Sequence, residues 1–220
     1  MKRISGFVFA AAILIAATAI GDSTALAAGP SPATPQKAAP PKEQDAAFGK
    51  KLVAAARKQT WIPVIYNPAY TKISYPGGDV PWYFGVCTDV VVRAYRDFGI
   101  DLQELVKKSG VGSGDTNIDH RRVDVQRKFF ARYGQSLPVS ANGADYHPGD
   151  IVSFHVPEGR FSKTHVAIVS DRTSSKGVPL IIHNRGWSVQ EEDWLFSPDA
   201  RITGHYRYAG PGGAKVAAGR

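Results

Sequence analysis

Cys87 is the residue whose type and position predict a nucleophile, and it is the only cysteine among 220 residues. It lies at the start of a predicted helix, within the segment GVCTDVVVRAY. The positive end of a helix dipole favours a thiolate over a thiol, so a cysteine at this position is expected to have a lowered pKa. The alternative is a small buried apolar side chain, the usual role of a single cysteine. The partners of Cys87 in the fold therefore decide its role.

Two of the six histidines lie in apolar, strand-like segments. His165 opens the segment HVAIV, and His183 ends the segment LIIH. A thiolate that attacks an amide needs an imidazole to take and return a proton, and that imidazole needs a third group to fix its tautomer. If both histidines lie on the sheet face turned towards the helix, a Cys-His-His line can form. A one-residue shift in strand pairing would defeat this, and a structural role is the alternative for each histidine.

Helical patterns come first along the chain and strand patterns follow. Helices are predicted for residues 45–59, 88–98 and 101–108, and for a segment opened by Asn117 or Asp119 that ends near Gly134. Short strands are predicted for residues 151–156, 166–170, 180–183 and 203–208, separated by turn residues. This order predicts an α+β domain in which the helix that carries Cys87 packs against an antiparallel sheet.

The two ends of the chain differ in composition from the middle. Residues 1–27 combine a basic start, a long apolar run and the pattern Ala25-Leu26-Ala27, which together predict a secretory signal peptide. A membrane anchor is the alternative. Residues 28–44 are rich in Pro and Ala and predict a linker, residues 45–208 predict one domain, and residues 209–220 predict a flexible tail. We therefore expect a periplasmic or secreted protein without stable membrane insertion once the signal is removed.

The charge balance favours an anionic partner. The formal net charge is +8, and removal of residues 1–27 takes away two positive charges and one negative charge, which leaves +7. An exported protein with this charge meets peptidoglycan or other anionic envelope polymers first, and its basic residues are too scattered to indicate a specific nucleic acid. A surface that serves only solubility is the alternative. We expect a monomer without a cofactor or metal, since the paired Cys and His spacings of zinc sites and a phosphate-binding glycine motif are missing.

Five segments in this order resemble the NlpC-type cysteine peptidases of bacterial cell walls. The segments are YPGG at 75–78, GVCTD at 85–89, PGDIVSF at 148–154, HVAIV at 165–169 and IH at 182–183. The runs GVCTDVVVRAYRDFGIDLQ, NIDHRRV and ITGHYRY look like one uncharacterised bacterial branch of that papain-like superfamily. The resemblance covers roughly residues 52–208 and implies a papain-like fold, with an N-terminal helical part that carries the cysteine packed on a C-terminal antiparallel sheet.

The resemblance also implies roles for four residues. Cys87 would be the nucleophile, His165 the general base and acid, and His183 the group that orients His165. Tyr75 matches the tyrosine that lines the catalytic cleft in that family, and its hydroxyl joins the backbone N–H of Cys87 as a candidate donor to the oxyanion. The chain departs from the family by carrying Val-Cys-Thr-Asp in place of the usual Asp-Cys-Ser-Gly, and by a helical insert at 117–122.

The candidate substrate-binding residues are Tyr75, Asn184, Asp89, His120 and Arg121, and the last three of these lie in the segments that depart from the family. For these, too, a structural alternative stands: Asp89 is then a first-turn acid favoured by the helix dipole, Asn and Asp near 117–119 are helix caps, and the arginines are solvated.

Together these observations predict an exported thiol hydrolase. It would cleave an amide bond, in the stem peptides of peptidoglycan, through a Cys-His-His triad and an acyl-thioester intermediate. Two alternatives remain open at this point: an acyltransferase that uses the same thioester, and a cell-wall-binding module without turnover.

Overall fold

The structure is a computed structural model, and it describes residues 40–212. The predicted signal peptide, most of the predicted linker and the end of the predicted tail lie outside the described residues. The helices are α1 (Glu43–Lys58), α2 (Cys87–Arg96), α3 (Leu102–Ser109) and α4 (Val123–Tyr133). The strands are β1 (Ile65–Tyr66), β2 (Phe84–Gly85), β3 (Gln135–Leu137), β4 (Ile151–His155), β5 (Thr164–Thr173), β6 (Pro179–His183), β7 (Gln190–Glu192) and β8 (Arg201–Arg207).

Local sequence explains where the helices begin and end. At the start of α2, the Asp89 carboxylate accepts a hydrogen bond from the backbone N–H of Val86 at 2.8 Å, which satisfies one of the free donors of the first turn. The side chain of Asp101 caps α3 by accepting from Gln103 N, and Gly110 ends that helix with a positive φ of 69°. The predicted helices are confirmed apart from their bounds.

The segment around residue 119 differs from the prediction. Residues 119–121 form a single 3₁₀ turn, and α4 begins only at Val123. Arg122 between them is extended, with φ −105° and ψ 127°. The Asp119 carboxylate, expected to cap a helix, instead accepts hydrogen bonds from Ser113 Oγ and Gly114 N in the preceding loop. A side chain held by an upstream loop cannot also cap the helix that follows.

The main sheet has six antiparallel strands in the order β3-β8-β4-β5-β6-β7, and β1 and β2 form a separate parallel pair. All four predicted strand segments are found in the main sheet, together with β3 and β7, which the sequence did not predict. The described residues therefore form an α+β fold with helices first and an antiparallel sheet after them. Within residues 40–212, no helix is both long and apolar enough to cross a membrane.

Each face of the sheet packs into its own apolar cluster. The first cluster joins the helices to the sheet and contains Cys87, Val166, Ile168 and Ile182. The second cluster contains residues that alternate with these along the strands, together with residues of the C-terminal segment: Phe154, Ala167, Val169, Ile181 and Trp194. Because successive strand side chains point to opposite faces, these lists assign each residue of β5 and β6 to a face.

A buried ion pair fixes the turn that leads into β4. The Asp150 carboxylate accepts from Arg207 Nε at 2.7 Å, lies 2.8 Å from His205 Nε2, and accepts from the backbone N–H of His147 at 2.9 Å. The Asp150 carboxylate therefore fixes the turn, and its partners on β8 tie the turn to that strand.

We predict that Asp150→Ala lowers the free energy of unfolding by about 3–5 kcal/mol, because the Arg207 guanidinium loses its buried carboxylate. Urea denaturation followed by circular dichroism measures this change. The control is Lys58→Ala, which removes the exposed pair with Asp97 and should cost less than about 1 kcal/mol. Equal losses in the two variants would contradict the prediction.

Candidate functional site

Cys87 is the first residue of α2 and is only 3% exposed. Its sulfur receives hydrogen bonds from the backbone N–H groups of Val166 and Thr88 and from the hydroxyl of Tyr66. One donor comes from strand β5, one from the helix itself, and one from strand β1. Three separate elements therefore meet at the sulfur.

The N–H of Val166 on β5 is available to the sulfur because the pairing with strand β6 ends before it reaches Val166. Val169 N–H donates to Asp150 O on the β4 side of β5, so the N–H of Val166 points to the opposite side, where β6 lies. The pairing of β5 with β6 begins at Ile168 opposite Ile182 and runs away from Val166. The sulfur of Cys87 thus lies at an open edge of β5, next to the residue that follows His165.

The thiol pKa differs from the sequence-based prediction. Burial raises the pKa of Cys87 to about 11, and the three donors only partly offset this rise. The nearby carboxylate of Asp89 raises it further. The predicted lowering by the helix dipole is therefore wrong for this closed site, because the loss of solvent around the sulfur has the larger effect.

The two predicted histidines are joined to each other. His165 Nε2 lies 2.7 Å from His183 Nδ1, and His183 Nε2 lies 2.8 Å from a carboxylate oxygen of Glu192. Arg185 Nε donates to the same oxygen at 2.9 Å. Burial lowers the pKa of His165 well below 6.5 and also lowers that of His183, so both rings are neutral at pH 7.

The imidazoles do not meet the condition set for a Cys-His-His line, that both lie on the sheet face turned towards the helix. His165 and His183 contact Trp194, with ring centroids 5.6 and 5.3 Å apart, and His165 also lies 6.2 Å from Phe154. These are contacts of the second cluster, on the sheet face away from the helices. The sulfur and the imidazoles therefore approach each other around the open edge of β5. Within residues 40–212, no hydrogen bond joins the sulfur directly to an imidazole nitrogen.

Two cavities flank the site and share one wall. One has a volume of about 520 Å³ and includes Cys87 in its lining, and the other has a volume of about 590 Å³ and includes His165. Tyr66 and Phe161 line both, and their rings stack with centroids 4.6 Å apart. Phe161 belongs to the loop between β4 and β5. This stacked pair separates the space next to Cys87 from the space next to His165.

The candidate substrate-binding residues are mostly structural in their placement. Asp89 and Arg121 form a buried ion pair, with Nε to Oδ1 at 2.8 Å and Nη2 to Oδ2 at 2.9 Å. His120 and Asn184 are buried, and burial lowers the pKa of His120 to about 4. Of these four, Arg121 is the one in the lining of the Cys87 cavity. It also ties the helical insert to the start of α2.

Tyr75 does not reach the site. It lies in an exposed turn near Lys108 of α3 and lines neither cavity. Tyr66 supplies the hydroxyl at the sulfur instead, and contact with Cys87 adds to burial in raising the Tyr66 pKa. The physical reason is topological: β1 pairs with β2 immediately before Cys87, so it carries Tyr66, not Tyr75, to the start of α2.

Sequence reasoning missed Tyr66, Phe161, Glu192 and Arg185. Tyr66 lies on a two-residue strand in a proline-rich segment, and Glu192 lies on a three-residue strand; neither strand was predicted. The signal that could have found Glu192 is the pair of acids Glu191 and Glu192 shortly after His183. The described residues contain no group of three or more His, Cys, Asp or Glu side chains arranged to hold a metal ion.

Fold and site define an α+β domain with a single cysteine at a helix start, next to a buried line of two imidazoles and a carboxylate. Residues 53–208 match DUF1287, a domain of unknown function, and the chain belongs to this family. It is similar to the uncharacterized protein YijF of Escherichia coli strain K12, with 43% identity over 169 residues, which cover 71% of this chain and 80% of that protein.

We predict that Phe161→Ala speeds the alkylation of Cys87 by iodoacetamide about two- to tenfold, because an aromatic pair contributes about 0.5–1.5 kcal/mol to keeping the site closed. Mass spectrometry of the intact protein follows the reaction at one site, since Cys87 is the only cysteine. Phe196→Ala, a ring that lines a different cavity, is the matched control and should leave the rate unchanged. An unchanged rate in Phe161→Ala would show that the stack does not limit access.

Proposed function

We propose that this protein is an exported thiol hydrolase of papain-like architecture that cleaves an amide bond in peptidoglycan stem peptides. The observation that carries the proposal is the position of the Cys87 sulfur at the edge of β5, bonded to the N–H of the residue after His165, while His165 is itself bonded to His183. Nucleophile, base and orienting group are thereby supplied by three adjacent elements.

The reaction begins from neutral partners. The raised pKa of Cys87 and the lowered pKa of His165 both favour a thiol and a neutral imidazole at rest. The thiol proton therefore passes to His165 as the sulfur attacks the carbonyl carbon. Catalytic hydrogen bonds commonly shorten only when substrate is bound, which suits the indirect link between sulfur and ring in the closed site.

The tetrahedral intermediate then collapses to an acyl-thioester. The C–N bond breaks, and His165 returns its proton to the leaving amine. A water molecule next gives a proton to His165 and attacks the thioester, and the sulfur leaves with that proton to restore the thiol. Backbone N–H of Cys87 at the free start of α2 and the hydroxyl of Tyr66 are the donors we assign to the oxyanion.

The cavity linings support an anionic peptide as substrate. Arg122, Lys128 and Arg121 line the Cys87 cavity with one carboxylate, Asp124. Stem peptides carry free carboxylates, which such a lining attracts. The second cavity gives room for the other side of the scissile bond, and the resemblance to NlpC-type enzymes and the net charge of +8 agree with an envelope polymer.

Acyl transfer is the second candidate, and the low exposure of the site favours it. Cys87 and His165 are 3% and 5% exposed, which limits water at the thioester until the cleft opens. An added amine that appears in a conjugated product would identify a transferase. Binding to cell walls without any product, unchanged after alkylation of Cys87, would identify a binding module instead.

We predict that the purified protein releases new amines from defined muropeptides and that Cys87→Ala lowers the rate by about 10⁶-fold, because triad members act as a unit. His165→Ala should lose nearly as much, and His183→Ala less. Fragment identification by mass spectrometry measures the products.

The matched control is His155→Ala, at the end of β4 and outside both cavity linings. It should keep full activity. Wild-type activity in Cys87→Ala would exclude the thioester mechanism.

A further inference from the structure

Glu192 is set apart from its neighbour Glu191 by the pairing of β7. Ile181 lies opposite Glu192 and Ile182 opposite Glu191, so the two carboxylates point to opposite faces of the sheet. Glu191 faces α1, where it accepts from Arg57 and Ser170. Glu192 faces the second cluster and lies 2.8 Å from His183 Nε2. Adjacent acids on one short strand thus have different surroundings.

The carboxylate of Glu192 is an acceptor only. Its pKa is lowered to about 2, first by the hydrogen bond from His183 and also by Arg185. Arg185 is itself held over the ring of Trp194, 5.4 Å from the centroid. Glu192 therefore stays ionised through the acidic and neutral range, and an ionised carboxylate can only accept a hydrogen bond.

The ionised carboxylate of Glu192 fixes the position of each proton on His183 and His165. Since Glu192 accepts, the proton between them sits on His183 Nε2, and the neutral ring leaves His183 Nδ1 without a proton. His183 Nδ1 must then accept from His165, so the proton in their 2.7 Å contact sits on His165 Nε2. The neutral ring of His165 is left with a bare Nδ1, which is the nitrogen able to take a proton from a thiol.

We infer that Glu192 is a positioning residue that sets the tautomers of both histidines and so presents His165 Nδ1 as the free base for Cys87. The inference rests on the proposed function for its catalytic meaning, but the proton positions follow from the contacts together with the neutral state of both rings. When the thiol proton arrives on His165 Nδ1, the imidazolium keeps its Nε2–H bonded to His183, and no other proton has to move. The negative charge at the end of the line stabilises the imidazolium that forms.

Other charged and titratable groups surround the line and the sulfur. Arg185 lies next to Glu192, and Asp89, Arg121 and Tyr66 lie around the sulfur. Three further charges line the cavity next to His165: Glu158, Arg160 and Asp199. A change at Glu192 removes the carboxylate partner of Arg185 but leaves the groups around the sulfur unchanged, so a shift in the reactivity of Cys87 would report on Glu192 and its pair with Arg185.

We predict that Glu192→Gln disturbs the tautomers, because an amide can donate as well as accept. A Gln that donates to His183 Nε2 would move the proton to His183 Nδ1 and then to His165 Nδ1, which blocks the base. In serine proteases the corresponding carboxylate-to-amide change lowers kcat about 10⁴-fold for this reason. Nitrogen-15 NMR of the histidine rings identifies which nitrogen carries each proton.

Alkylation of Cys87 gives a second readout that needs no turnover. Loss of the Glu192 charge disfavours the imidazolium, so the ion pair of the Cys87 thiolate and the His165 imidazolium is less populated in Glu192→Gln. We expect the rate of alkylation at pH 6–7 to fall about three- to tenfold, equivalent to about half to one unit in the pKa of His165. Glu192→Asp keeps the charge and should recover part of the rate. Glu191→Gln is the matched control and should leave the rate at pH 6–7 unchanged.

Two results would overturn the inference. One is a wild-type spectrum in which His165 carries its proton on Nδ1, a result that needs no variant to fold. The other is an equal rate of alkylation at pH 6–7 in wild type, Glu192→Gln and Glu191→Gln. Failure of the hydrolase proposal would look different, because muropeptides would then stay intact while the tautomers and the alkylation profile still followed Glu192.

Discussion

The site depends on the point at which strand β6 stops pairing with β5. Beyond Ile168 and Ile182 the edge of β5 is open, and the N–H of Val166 donates to the Cys87 sulfur in place of a strand carbonyl. If β6 continued by two more residues, that N–H would be used within the sheet, and the start of α2 could not approach it. A local end of strand pairing is therefore what brings a helix terminus to the end of a strand that carries a histidine.

The same register places the imidazoles. Ile182 lies opposite Ile168 on the helix side, so His183 falls on the other face, where it meets His165 diagonally across the pair of strands. A shift by one residue would turn one ring towards the helices and leave the other against Trp194. The Phe154 and Trp194 rings fill the space around the pair, so the register is held by apolar packing and not by the histidines themselves.

Local patterns in the sequence predicted the parts of the site that depend on short-range structure. The helix start at Cys87, the strands with His165 and His183, and the α+β order follow from periodicity and turn residues. The parts that failed depend on long-range pairing: Tyr66 reaches the sulfur through a two-residue strand, and Glu192 reaches His183 from a strand of three residues. Strands this short have no detectable alternation. Tyr75 was favoured because it stands in a local motif, but a motif does not determine which strand lies against the helix.

Desolvation raises the pKa of the Cys87 thiol and hydrogen bonding lowers it. The net rise has a chemical consequence. Burial keeps Cys87 a thiol at neutral pH, while the donors from Val166, Thr88 and Tyr66 are already aimed at the sulfur. The thiol form resists oxidation, which proceeds through the thiolate and would threaten a lone cysteine in the oxidising compartment predicted for this chain. The donors lower the cost of the anion only once a base takes the proton. In the proposed reaction, such a site keeps Cys87 inactive until a substrate and His165 act together, and this is why the direction of the His165 proton, which we infer to be set from Glu192, matters more than the helix dipole.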